Sequence, residues 1–357
     1  MAAGMKLVIQ IPCLDEETTL PQVLRELPRE VEGFDEVEWL AIDDGSTDRT
    51  VKVARDHGID HIVRLTNNKG LAAAFQAGLD ASLKLGADVI VNTDADNQYQ
   101  ASDIPRLVEP ILEGRADMVI GDRQVRDVEH FSRQKKLLQQ IGSWVVRRAS
   151  GTRIPDTTSG FRAYNREAAL QLVVVSNYTY TLESLIQAGK MLVAVEHVPI
   201  ASNPKVRDSR LADSTVRYVR RNALAIVRAY VLYEPLRVFT AAGILFALGA
   251  LGAFSPFLVD WVANGDTTGH VQSLILGAIL ALTAVQMFAL GIVGDAIAGQ
   301  RVIAQRTLER VRRLELEAGI RPSHYEPGAV RTARERHGDS YTLGDLRRAP
   351  DTSEVGV

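Results

Sequence analysis

Two stretches of this sequence contain no charged side chain: Val238–Val259 and Val271–Gly294. Each meets or exceeds the roughly 20 residues that a helix needs to cross the hydrocarbon core of a bilayer. A core helix of a soluble protein seldom stays uncharged on every face for that length. The pair therefore predicts a transmembrane hairpin at 236–294, and the chain before it must fold as a body of its own. The connecting loop Asp260–His270 has no Lys or Arg, whereas Arg228 and Arg237 flank the entry and Arg301, Arg306, Arg310, Arg312 and Arg313 follow the exit. The positive-inside rule places both ends of such a hairpin in the cytoplasm.

The preceding residues alternate short apolar runs with helical patterns. Lys6–Ile11, Val37–Ile42, His61–Leu65, Asp88–Thr93 and Met118–Ile120 read as strands, and Thr18–Leu27, Thr50–His57, Leu71–Leu85 and Ser102–Glu113 as helices. This alternation predicts an α/β fold with a mostly parallel, doubly wound sheet. Farther on, the pattern predicts a helix within Phe131–Ser150, a polar loop Asp156–Arg162, two short helices, the second around Thr181–Ala188, and a strand Leu192–Pro199. In Ser214–Tyr233, helical spacing puts Arg217, Arg221 and Arg228 opposite Val219, Ala223, Ile226 and Tyr230. A helix of that kind reads as lying in the membrane interface, its arginines toward anionic headgroups, or as a surface helix packed on the soluble domain, and the two faces can serve both. After Gly294 a charged helix is expected to about Glu317, and the last thirty or so residues, which are polar, are expected to be disordered. The expected divisions are 1–212, 213–235, 236–294 and 295–357.

Three of the strands run into acid: Asp15-Glu16-Glu17, Asp43-Asp44 and Asp94-Ala95-Asp96. Open α/β sheets bind ligands outside the carboxyl ends of their strands. Two carboxylates two residues apart can share a hard cation, and Mg²⁺ favours one or two carboxylates together with substrate phosphate oxygens. Alone, Asp94-x-Asp96 is as readily an ordinary acidic turn. Three acidic turns on one sheet edge repel each other unless a cation or a nucleotide engages them, which points to a nucleotide–metal site. The net charge of -3 argues against a general nucleic-acid binder. The single cysteine, Cys13, excludes an internal disulfide, and Pro12 and the acids after it break the first apolar run too early for a signal peptide.

Six motifs occur in order: Ile11-Pro12-Cys13-Leu14-Asp15-Glu16-Glu17, Asp43-Asp44-Gly45-Ser46-Thr47-Asp48, Asn68-Lys69-Gly70-Leu71, Asp94-Ala95-Asp96-Asn97-Gln98-Tyr99, Gly121-Asp122-Arg123 and Ser159-Gly160-Phe161-Arg162. Together they resemble family 2 glycosyltransferases with the A-type nucleotide-sugar fold. More narrowly, the chain is similar to polyprenyl-phosphate glycosyltransferases, the dolichyl-phosphate mannose synthase-like enzymes with two C-terminal spans. The resemblance implies an inverting transfer of sugar from a nucleotide diphosphate sugar to a polyprenyl phosphate at the cytoplasmic membrane face, with Mg²⁺ or Mn²⁺ as cofactor. It implies that Pro12, Leu14, Glu16, Ile42 and Asp44 line the base and ribose site, with Lys69 also on the nucleotide sugar. Asp94, Asp96 and Gln98 would hold the metal and diphosphate, and Arg123 and Lys136 the acceptor phosphate. A homo-oligomer is compatible with this scheme.

Two positions depart from the family pattern: Asp15 stands where Asn is usual, and Gln140 near where some relatives place an acceptor-binding Ser. Glu183 lies where inverting relatives with hydroxyl acceptors place a carboxylate base, and is otherwise a structural carboxylate. The rival functions are transfer to a glycolipid or polysaccharide hydroxyl, and an inactive membrane scaffold. The Gln-x-x-Arg-Trp signature of processive synthases is absent.

Overall fold

The computed structural model describes residues 4–124, 147, 150–152, 154–174, 180–203, 231–265 and 270–328 of the 357-residue chain. Lys136, Gln140, the arginines Arg217, Arg221 and Arg228, and the tail beyond 328 lie outside the described residues. In chain order the elements are β1 (Lys6–Cys13), α1 (Leu20–Glu26), β2 (Glu36–Asp43), α2 (Thr50–Asp56), β3 (His61–Arg64), α3 (Leu71–Lys84) and β4 (Val89–Asn92). There follow α4 (Ile104–Leu112), β5 (Met118–Asp122), β6 (Arg162–Asn165), α5 (Arg166–Gln171), α6 (Thr181–Lys190) and β7 (Val195–Pro199). The chain then continues through α7 (Pro235–Asn264), α8 (Val271–Glu317) and β8 (Tyr325–Pro327).

The strands form one sheet in the order β7-β5-β6-β4-β1-β2-β3-β8. The pairs β1–β2, β1–β4, β2–β3 and β5–β7 are parallel, and only β6 and β8 run against the rest. Side chains alternate across the sheet with the two-residue period of a strand. Leu7, Ile9 and Ile11 of β1 join Trp39, Val89, Val91 and Val119 in a core under α1, α2 and α4. Val8, Leu40, Ile42, Ile90 and Ile120 join the opposite core under α3, α5 and α6. Both faces are thus covered, as strands without a polar face require.

The structure differs from the sequence-based expectation at β6. The polar loop ends at Phe161, and Arg162 opens a strand, because its guanidinium bonds the carbonyls of Ser159, Thr157 and Thr181 and the Ser184 hydroxyl at 2.7–3.0 Å. β7 begins three residues later than expected, since Leu192 takes a left-handed φ of 59° that no strand accommodates.

α7 and α8 pack antiparallel. Added Cβ atoms show how closely glycines seat aromatic or proline neighbours: Gly294 on Pro235, Gly291 on Phe239, Gly243 on Phe288 and Gly277 on Phe254. Small residues permit such approach between apolar helices. Only 11% and 17% of their apolar windows are buried. Leu245, Val262, Val285 and Ile292 face outward, so these are not core helices.

α8 does not stop at the end of its apolar part. It continues unbroken past Gly294, and its charged half lies on the α/β domain. Arg312 donates to the carbonyls of Leu170 (2.9 Å) and Leu172 (2.8 Å), Lys84 pairs with Glu315 at 3.0 Å, and Arg313 pairs with Glu167. Beyond α8, Tyr325–Pro327 adds strand β8 to the β3 edge of the sheet. The Tyr325 hydroxyl meets His61 Nδ1 at 2.8 Å, and Arg55 pairs with Glu326.

Candidate active site

Because β1, β2 and β4 are parallel neighbours, their carboxyl ends bring the loops at 14–17, 44–48 and 94–98 to one edge. β5 points the same way and adds Asp122 and Arg123. Polar contacts brace these ends from within. Gln10 Nε2 donates to Asn92 Oδ1 at 2.8 Å, and Asn92 Nδ2 donates to the Gly160 carbonyl and the Tyr180 hydroxyl, both at 2.9 Å. The 159–160 loop is thereby fixed over the end of β4.

The first two loops interlock. Asp15 adopts φ 51°, a left-handed conformation that Asp and Asn tolerate better than most residues. Its carboxylate accepts from Thr47 N at 2.8 Å, so the departure from Asn preserves the turn. Buried Glu16 accepts from Thr19 Oγ1 at 2.6 Å. Asp44, also buried, accepts from the backbone N–H groups of Lys69 (2.7 Å) and Gly70 (2.8 Å) and so fixes the entry to α3. Gly45 has φ 79°, and a Cβ there would meet Asn67 C at 2.6 Å. Pro12 is buried in β1, Leu14 is half-buried, and the Lys69 side chain is exposed. Ile42 sits fully buried in the core beneath α3, not at the surface of the cleft.

Asp94 and Asp96 stand beyond β4. Burial, and then the charge of Asp96, raise the Asp94 pKa to about 7, against the opposing pull of Arg123 and a hydrogen bond from Tyr99. Asp94 is thus close enough to Asp96, Arg123 and Glu16 for their charges to bear on it. Asp96 accepts from Gln98 N at 3.1 Å and Gln98 Nε2 at 2.5 Å. Burial, and then Asp94, push the Tyr99 hydroxyl up to about 12, so it stays a donor; it also accepts from Gly160 N at 2.9 Å. Tyr99 stacks on Phe161 at 5.1 Å, which holds its ring.

The donor set fits a hard divalent cation. Among the described residues no cluster of three or more His, Cys, Asp or Glu side chains forms a closed cage. A cation here would have two carboxylates and the Gln98 carbonyl oxygen, and would take its remaining ligands from phosphate and water. It would also offset the burial and the Asp96 charge that together raise Asp94.

Arg123 does not stand free. Its Nε donates to Asp156 Oδ2 at 2.7 Å, and Nη2 donates to Asp156 Oδ1 at 3.1 Å and Thr158 Oγ1 at 2.9 Å. The Asp156 side chain is 2% exposed and that of Arg123 22%. Burial opposes both charges, but the Arg123 guanidinium holds Asp156 below the usual carboxylate range, while Tyr99, Asp156 and Asp94 raise Arg123. No hydrogen bond of Nη1 to a described residue accompanies these. Sequence reasoning assigned no role to Asp156 or Tyr99; the polar loop and the motif that contain them were the available signals.

Glu183 is brought to the hairpin. It accepts from Arg301 Nη2 at 2.8 Å and from the Tyr233 hydroxyl at 3.4 Å, and the Arg301 guanidinium lies 4.4 Å over the Tyr233 ring.

Comparison with known proteins accords with this geometry. The profile of Glycosyl transferase family 2 matches residues 8–172. The undecaprenyl-phosphate mannosyltransferase of Micrococcus luteus is 30% identical over 207 residues, 55% of this chain and 83% of that protein. The polyprenol monophosphomannose synthase of Mycolicibacterium smegmatis is 29% identical over 59% of this chain and 82% of its own. Glycosyltransferase AglJ of Haloferax volcanii is 26% identical over 86% of this chain and 97% of its own. Among solved structures, glucosyl-3-phosphoglycerate synthase from Mycobacterium tuberculosis shares the fold, with a TM-score of 0.50 and 23% identity over 62% of this chain and 80% of that one. The chain is a glycosyltransferase, and it belongs to glycosyltransferase family 2.

Proposed function

We propose that this enzyme transfers a sugar from a nucleotide diphosphate sugar to a polyprenyl phosphate at the cytoplasmic face of the membrane, with inversion at the anomeric carbon. The observation that carries the reading is the fate of Glu183. A hydroxyl acceptor needs a general base, and Glu183 is the carboxylate in the position for it. Here that carboxylate is tied to the Arg301 cation and the Tyr233 hydroxyl. A phosphate monoester needs no strong base, since its second pKa is about 6 and it is ionised at neutral pH. The names of the Micrococcus and Mycolicibacterium relatives support the same acceptor class.

In this scheme a phosphate oxygen of the lipid attacks the anomeric carbon in line as the bond to the nucleotide diphosphate breaks. A divalent cation, Mg²⁺ or Mn²⁺, held by Asp94, Asp96 and Gln98 would stabilise the charge on the leaving diphosphate. Glu16, Asp44 and the 67–70 loop shape the nucleotide side, and Lys69 reaches from that loop. Arg123, oriented by Asp156, offers Nη1 to the acceptor phosphate as a charge-assisted donor. Lys136 is the second cation of the acceptor site. The Arg-free loop of the hairpin and the arginines on both flanks support a topology with both chain ends cytoplasmic.

The test offers a polyprenyl phosphate and its dephosphorylated alcohol side by side, to wild type and to Glu183→Gln. Transfer is expected to the phosphate alone, and Glu183→Gln should keep catalysing it once folded. Equal transfer to the alcohol, abolished by Glu183→Gln, would overturn the assignment.

A further inference from the structure

We propose that the turn between α6 and β7, Lys190-Met191-Leu192, is a membrane contact of the transferase domain, with Leu192 inserted where headgroups meet acyl chains. The inference rests on reading α7 and α8 as a membrane hairpin. Single exposed apolar side chains are ordinary on protein surfaces. What distinguishes Leu192 is where the fold carries it.

Two contacts fix the level of α6 against the hairpin. Near its start, Glu183 pairs with Arg301. At its last residue, Lys190 pairs with Glu234, the residue before α7 begins. Pro235 packs on Gly294, the last residue of the uncharged part of α8. Arg301 lies about two helical turns beyond Gly294, roughly 10 Å farther from the apolar span. Glu183 and Lys190 are also about two turns apart, roughly 10 Å. α6 therefore runs antiparallel to the charged half of α8 and ends level with the mouth of the hairpin.

At that level the chain reverses through Leu192, which is 90% exposed and held at φ 59°. The left-handed backbone turns this apolar side chain out of the domain, while Val193 beside it packs inward on the core. Leu232 and Leu236 are exposed at the same mouth. Glu234 is matched by both Lys190 and Arg237, and the exposed Asp295 follows Gly294 at the same level, so long charged side chains ring the apolar tips. Apolar tips with snorkelling Lys190 and Arg237 beside them, continuous with the hairpin, suit one occupant: the headgroup region of a lipid leaflet.

The test uses the full-length enzyme in nanodiscs containing phosphatidylglycerol, with spin labels at Leu192→Cys, Leu282→Cys on the outward face of α8, and Lys52→Cys on α2. Cys13 is buried, and unsubstituted protein reports any labelling there. Collisions with oxygen and with a water-soluble nickel chelate measure depth. The label at 192 is expected to favour oxygen over nickel, less strongly than 282, while 52 favours nickel. Nickel access at 192 equal to that at 52, with 282 inserted, overturns the proposal and leaves the hairpin standing. Shielding of 192 from both reagents also overturns it, since that signals another protein surface. Nickel access at 282 removes the hairpin reading and the proposal together.

Discussion

Replacing Arg123 with alanine should destabilise the fold as well as slow the reaction, and the two effects can be separated. The guanidinium supplies two of the bonds to Asp156, whose side chain is 2% exposed. Without it a buried carboxylate is stranded, which typically costs 3–5 kcal/mol. The carboxylate can escape by taking a proton. From its ordinary value of 3.8, doing so at pH 7 costs at most about 4 kcal/mol, at roughly 1.4 kcal/mol per pH unit. At pH 5 the same ceiling falls to about 2 kcal/mol. The bonds from Thr158 N and Oγ1 remain and stabilise the carboxylate in its charged form, so the penalty lies below these ceilings. Thermal unfolding followed by tryptophan fluorescence at pH 7 and pH 5 should show a penalty that shrinks on acidification. Arg123→Ala/Asp156→Asn should regain most of the stability. It should not regain the rate with polyprenyl phosphate, which should stay down by about one to two orders of magnitude for loss of a contact worth roughly 1.5–3 kcal/mol. A single variant as stable as wild type at pH 7, or a double variant no more stable than the single, would refute the reasoning.

Asp96→Asn should abolish turnover in added Mg²⁺ or Mn²⁺ while the unfolding curve stays within error of wild type; an active, folded variant would remove Asp96 from the metal site. Gly160→Ala should lower kcat at least about tenfold, because its Cβ would lie 2.7 Å from Tyr180 Oη and 3.1 Å from Asp94 Oδ2. Gly299→Ala, with nothing within 4 Å, should be neutral or gain about 0.5–1 kcal/mol, as read by thermal unfolding. At the sheet edge, burial alone would raise Glu38, but bonds from His61 and Lys6 hold it at about 2, against an ordinary 4.5. Its contribution is present above pH 4.5 and is lost as pH falls toward 2. Glu38→Gln should therefore cost about 1–3 kcal/mol at pH 7, within a ceiling of roughly 1.4 kcal/mol per unit, and little near pH 2, by the same measurement.

The elements legible in the sequence are those whose reason is local. β1, β2 and β4 announce themselves as apolar runs ending in acid, and the hairpin as two uncharged stretches. β6 was hidden because Arg162 and Asn165 make it look like loop. What permits a fully buried arginine there is a set of carbonyls from 157, 159 and 181, none of them readable from spacing. β8 is three residues long and has no pattern of its own. The site divides the same way. Asp94, Asp96 and Gln98 share a turn and could be named together. The partnership of Arg123 with Asp156 spans 33 residues, and that of Glu183 with Arg301 spans 118; both exist only because distant elements are packed together.

Strand β8 also sets an order of events during synthesis. His61 and Tyr325, which meet across its pairing with β3, are 264 residues apart in the chain. The sheet therefore waits for its last strand until both apolar helices have left the ribosome. During that interval β3 is an open edge, with unpaired N–H and C=O groups available to any extended chain. Packing of α8 on the domain brings β8 against β3 and closes that edge. A chain ending at 212 would never receive the covering strand and would be prone to edge-to-edge association even with every acidic loop in place. On the membrane-hairpin reading proposed above, entry of α7 and α8 into the bilayer and completion of the sheet belong to one sequence of events.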